Sequence, residues 1–127
     1  MTELQQKQLA LLEDTVKFFN SENRAYDIEL GACMYHTKDE KGCAIGRLIP
    51  DKELCRQLDA GIGEDKFRGV GKDCVFQLLP LNLQEYSQLF LKRLQSLHDY
   101  PLNWNEKGLS DEGEQRTNEI KKEFHLN

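Results

Sequence analysis

Leu9, Leu12, Val16 and Phe19 recur at helical spacing near the start of the chain, with Leu11 and Phe18 flanking the same face. Thr2 followed by Gln5 matches a capping box, in which a hydroxyl and a side-chain amide each satisfy a free backbone N–H. The cluster Asn20-Ser21-Glu22-Asn23 breaks the pattern, so the spacing predicts a helix over 3–20. A longer apolar stripe follows at Leu83, Tyr86, Phe90, Leu94 and Leu97. Asn82 suits its cap, Glu85 the capping-box partner, and Pro101 its stop. A third helix is predicted from a Ser110 cap to about Phe124. Acidic residues fill its first turn and Lys121, Lys122 and His125 sit near its negative end, with only Ile120 and Phe124 facing inward.

Between these helices the period shortens. Tyr26, Ile28 and Leu30 alternate with Asp27 and Glu29, a strand pattern. Cys33–Thr37 and Cys43–Arg47 flank the polar loop Lys38-Asp39-Glu40-Lys41-Gly42 and predict a β-hairpin. In that register Cys43 faces Thr37 and Cys33 faces Arg47. Two strands alone are marginal in water, so the hairpin must lie on helices. Pro50, Asp51 and Glu53 suit the start of a short helix over 50–59, with Leu54 and Leu58 as its apolar pair. Gly61, Gly63, Gly69 and Gly71 mark a polar loop, and 74–79 reads as a short helix stopped before Pro80. The expected fold is α+β, a mainly helical single domain over 1–127 with a small β-hairpin packed on helices. The hairpin and the Pro50 turn would organise it, because both long apolar stripes need that segment as cover.

Composition narrows the function. The 17 basic residues are scattered among 22 acidic ones, for a net charge of −5, which argues against nucleic acid as a partner. No run of apolar residues approaches the roughly 18 that a membrane span needs. The start Met1-Thr2-Glu3-Leu4 lacks the basic-then-apolar order of a secretory signal, so the cytoplasm is the expected compartment. There the four cysteines, Cys33, Cys43, Cys55 and Cys74, are expected as free thiols.

No complete reactive motif emerges. In the predicted hairpin Cys33 and Cys43 share a face but stand about 13 Å apart, too far for one metal ion or a disulfide. No metal and no cofactor are expected. Gly71-Lys72 resembles the end of a phosphate-binding loop, yet Asp73 stands where Ser or Thr belongs and Lys66 where a glycine belongs. Cys43, His98 and Asp51 supply the residue types of a thiol hydrolase, in which a base lowers the thiol pKa and a third group orients the base. Asp99 is passed over for that third role, because neighbours at i and i+1 on a helix do not face one another. Tyr35, Arg47, Asp51, His98 and Trp104, with Tyr100, either line a pocket that stacks on a planar ligand while Arg47 holds an anion, or form core-edge packing.

Cys33-x-Tyr35, the polar turn, Cys43-Ala44-Ile45-Gly46, Leu48-Ile49-Pro50-Asp51, and Leu94-Gln95 with His98-Asp99 form one longer pattern. It resembles a group of small bacteriophage and bacterial proteins of no established activity. Arg47 departs from the group, where an uncharged residue or histidine stands. The resemblance implies a phage- or prophage-type accessory protein in the host cytoplasm, a host-takeover or anti-defence factor that binds a host protein or small signal molecule. The alternative is a small thiol-dependent hydrolase using Cys43 and His98.

Overall fold

The computed structural model describes residues 1–27 and 31–127. Helix α1 (Glu3–Phe18) begins with the expected capping box, Thr2 Oγ1 accepting from Gln5 N–H and Gln5 Oε1 from Thr2 N–H. Its buried face centres on Gln8, Leu11, Leu12 and Thr15, rotated slightly from the stripe read in the sequence. Gln8 is buried because its amide oxygen accepts the Ser87 N–H, at 3.0 Å.

Strands β1 (Tyr26–Asp27) and β2 (Ala32–Cys33) pair antiparallel, Tyr26 opposite Cys33. The rest of the strand expected at 26–30 lies outside the described residues. The hairpin expected from 33–37 and 43–47 does not form. Cys33 pairs with Tyr26 rather than Arg47, and Thr37 N–H donates to Lys41 O rather than reaching Cys43. The donors of the would-be strand go elsewhere: Asp59 accepts the Tyr35 N–H at 2.7 Å and the His36 N–H at 3.2 Å. Residues after Cys43 coil instead into a turn and a 3₁₀ segment, Gly46–Leu48, with Arg47 N–H bonded to Cys43 O. This packing needs glycine, since a Cβ at Gly46 would sit 2.0 Å from Tyr35 O.

The coiled segment nevertheless lies at the centre of the core. Cys43, Ala44, Ile45 and Ile49 are all buried, packed with Leu12, Leu58, Phe90 and Leu94. Helix α2 (Lys52–Ala60) starts two residues past Pro50, with Asp51 as its cap. After the glycine loop come α3 (Asp73–Phe76) and α4 (Leu81–Gln84). The long helix expected from Asn82 is broken: α5 (Gln88–Asp99) takes Ser87 as its cap, and Asn82 falls inside α4. Gln84 turns its amide back to Leu79 O at 2.7 Å, which closes the α4 turn before α5 can begin. Strands β3 (Trp104–Asn105) and β4 (Gly108–Leu109) form a second antiparallel pair, and α6 (Asp111–Glu123) follows its Ser110 cap as expected. The fold is mainly helical α+β, six α-helices and two small two-stranded sheets among the described residues. No helix among them is long and apolar enough to cross a membrane.

Candidate functional site

The chemistry-bearing residues converge on the C-terminal end of α5, where the last carbonyls have no partner within the helix. Leu97 O accepts from Asn103 Nδ2 and from Trp104 Nε1, each at 3.0 Å. His98 O accepts from Arg24 Nε at 2.8 Å, and Asp99 O from the same guanidinium at 2.6 Å. Arg24 is thus a buried cation on the negative end of the helix dipole.

His98 is fully buried, its ring edge-on to Phe19 with centroids 4.7 Å apart. Ala25 N–H donates to His98 Nε2 at 3.2 Å, which places the ring proton on Nδ1, and Nδ1 donates to Asp99 Oδ1 at 2.7 Å. The expectation that Asp99 cannot reach its neighbour is therefore corrected. Asp99 is the last residue of α5, and its short side chain swings round the open helix rim to Nδ1, the ring nitrogen nearest the backbone.

Cys33, His98 and Asp99 bring one ligand-type atom each within 4.8 Å of one another, the one such trio among the described residues. A metal ion would need the Nδ1 lone pair, which moves the ring proton to Nε2 and sets it against the Ala25 N–H. Arg24 lies 3.5 Å from Cys33 Sγ, a second charge opposing a cation. Burial, then the Asp99 carboxylate, pushes the Cys33 thiol up to about 12 despite Arg24. The trio fits a metal poorly.

The other residues singled out in the sequence fall in different places. Cys43 is buried, its sulfur accepting the Gly46 N–H, and burial with Asp99 pushes its thiol up to about 12. Asp51 caps α2 on the surface. Arg47 pairs with Asp14 at 2.5 Å and lies over the Phe18 ring. Trp104 is buried against α5. The structure brings His98 and Trp104 to one place; Cys43, His98 and Asp51 form no close trio among the described residues, Asp51 being an exposed cap of α2, and both ring nitrogens of His98 are already engaged. The 13 Å separation expected for Cys33 and Cys43 lapses with the hairpin, and the two segments meet where Cys43 N–H donates to Met34 O.

Among the concavities at the α5 terminus, two are walled by chemistry-bearing side chains. One, about 350 Å³, is bounded by Tyr26, Cys33, Tyr35, Arg68, Gln95 and Asp99. Much of its polar wall serves the fold: Tyr35 Oη donates to Arg68 O and accepts from Gln95 Nε2, while Gln95 Oε1 accepts from Val70 N–H; Arg68 Nε is buried with no partner among the described residues. Arg68 reaches Cys33 O and stands 3.7 Å from Asp59.

The other, about 280 Å³, is a groove between α5 and α6, with Leu97, Asn103 and Ile120 beneath, Tyr100 and Ser96 at one side, and Arg93, Arg116, Glu119 and Glu123 around it. Arg93 spans from α5 to Glu123 on α6 through two bonds of 3.0 and 3.3 Å. Asn103 is 2% exposed, and its amide oxygen is buried without a hydrogen-bond partner. Because Nδ2 donates to Leu97 O, the orientation of the amide is fixed and the oxygen is the unpaired end. Sequence reasoning missed Asn103, whose only signal was a polar residue set between Leu102 and Trp104.

No family model, curated protein or solved structure matches the chain.

Proposed function

We propose that this chain is a non-catalytic binding protein of the phage-accessory kind, and that it holds a small molecule in the groove between α5 and α6. The observation that carries this reading is the groove itself, about 280 Å³, with the apolar side chains of Leu97 and Ile120 and the ring of Tyr100 in its wall and paired charges around it. Small-molecule sites are concave and mostly apolar, with a few convergent polar groups that fix orientation. At about 280 Å³ the groove suits a compact ligand better than a protein segment. A thiol hydrolase needs a thiolate beside a free base. Here the Cys43 thiol is held protonated by burial and His98 has no free ring nitrogen, which weighs against the hydrolase reading.

Native mass spectrometry of the protein, purified gently from infected bacteria, tests the reading. A retained small-molecule mass that is lost in a Ser96→Phe variant supports it. A retained host protein with an empty groove would move the function to partner binding, and turnover of ester or peptide substrates abolished by Cys43→Ser would replace it with the hydrolase.

A further inference from the structure

The concavity bounded by Tyr26, Cys33 and Arg68 holds two opposite charges that do not meet. Arg68 and Asp99 both line it, with side chains 35% and 42% exposed. Each is tethered to its own wall. Arg68 Nη2 donates to Cys33 O at 2.9 Å and lies beside Met34 Sδ, and its carboxylate neighbour is Asp59, at 3.7 Å. Asp59 already accepts the Tyr35 and His36 N–H groups. Arg68 Nε is enclosed, so the open donor of the guanidinium is Nη1, which has no partner among the described residues. Asp99 Oδ1 takes the His98 Nδ1 proton, and Oδ2 has no partner among the described residues. The two charges stand on either side of Cys33, Arg68 on its carbonyl and the Asp99 carboxylate within 4.8 Å of its thiol. Arg24, the other cation nearby, is buried on the His98 and Asp99 carbonyls, where the helix dipole offsets it.

A lone anion drawn to Arg68 is repelled by Asp99, and a lone cation meets the reverse. A molecule with a carboxylate at one end and an ammonium at the other satisfies both, through charge-assisted hydrogen bonds that break no existing pair. Tyr26, exposed at the side, adds an aromatic wall, and about 350 Å³ gives room for one amino acid. We infer that this concavity binds a free α-amino acid with an aromatic side chain, its carboxylate on Arg68 Nη1, its ammonium on Asp99 Oδ2 and its ring against Tyr26. The site is separate from the α5/α6 groove and does not depend on it.

Three probes on the intact protein at neutral pH test this: L-phenylalanine, phenethylamine, which lacks the carboxylate, and 3-phenylpropanoate, which lacks the ammonium. Methyl NMR reads Ala32 for this concavity and Ile120 for the groove. L-Phenylalanine is expected to shift Ala32 along a saturable curve and leave Ile120 in place, with each truncated probe weaker by about tenfold or more. Asp99→Asn keeps an acceptor for His98 Nδ1 and removes only the charge. It should weaken L-phenylalanine by about tenfold and leave 3-phenylpropanoate no weaker. No shift at Ala32 overturns the proposal, as does a shift at Ile120 alone. A truncated probe that matches L-phenylalanine, or wild-type binding of L-phenylalanine by Asp99→Asn, overturns the pairing of both charges with one ligand. The groove reading is decided separately, by the retained mass and its loss in Ser96→Phe.

Discussion

His98 Nδ1 and Asp99 Oδ1 lie 2.7 Å apart at the end of α5, a contact between sequence neighbours that a helix interior forbids. It makes Asp99 the half-exposed partner of a fully buried ring whose other nitrogen serves the Ala25 N–H. The two partners differ in what their loss exposes. His98→Ala leaves a cavity and a buried donor without an acceptor, at a cost of about 2–4 kcal/mol. Asp99→Ala costs less, about 1 kcal/mol, since the half-exposed carboxylate leaves behind a gap open to water that can accept the Nδ1 proton in its place. Urea unfolding of the two variants checks the ordering, and similar losses would mean the pair acts as a unit.

Ala44 is fully buried in the coiled segment that replaces the expected hairpin. Ala44→Leu should overpack it and lower stability by about 1–3 kcal/mol. Thermal melts read the effect directly, and an unchanged midpoint would put the segment at the periphery.

Gly113 tests backbone proximity against helix propensity. In an open helix Gly→Ala gains about 1 kcal/mol. Here the new Cβ would meet Asn103 O at 2.1 Å, so Gly113→Ala should destabilise and disturb the groove beneath it. A raised melting temperature would show that α6 is able to shift away from Asn103.

The thiols give a pH dependence with a definite sign. Burial raises Cys33 and Cys43 from 9.0 to about 12, so the unfolded chain releases these protons first. Stability from this source is complete below pH 9 and drains away as pH climbs towards 12. Denaturant midpoints measured from pH 8 to 10.5 should fall more steeply for the wild type than for Cys43→Ala; parallel slopes would contradict it.

All four cysteines are free, and only Cys74 is exposed. Thiol labelling should therefore find one fast site in the folded protein and four in denaturant without reductant. Fewer than four in denaturant would mean a disulfide.

The elements legible in the sequence were those whose cause is local. The Thr2–Gln5 box and the Ser110 cap lie within one turn of the helices they start, and both helices appear where the pattern put them. The misread hairpin had strand-like residues on both sides of a polar loop. Its donors were claimed by Asp59, and Gly46 allowed the chain to fold down on Tyr35, neither of which spacing reveals. Asn82 lost its cap role to Ser87 because Gln84 folds back on Leu79 O. Of the candidate site, the sequence singled out His98 and Trp104 at the α5 terminus. Asn103 escaped notice because its importance comes from one unpaired atom, a property that exists only once Leu97 O has taken its nitrogen.

The two ends of the chain meet across long stretches of sequence: Lys7 with Glu85, Gln8 with Ser87, Arg24 with the carbonyls of His98 and Asp99, Ser21 with Asn105. The N-terminal helix can meet the 43–49 segment early, through Leu12 and the Arg47–Asp14 pair, but its contacts with residues 85–105 must wait until α5 and the second small sheet have been made. The early chain must carry a partly uncovered apolar face through most of its own synthesis, and folding that depends on such distant pairings is slow for a helical protein of this length. In the cell its vulnerable period is therefore during translation, before the last third of the chain arrives.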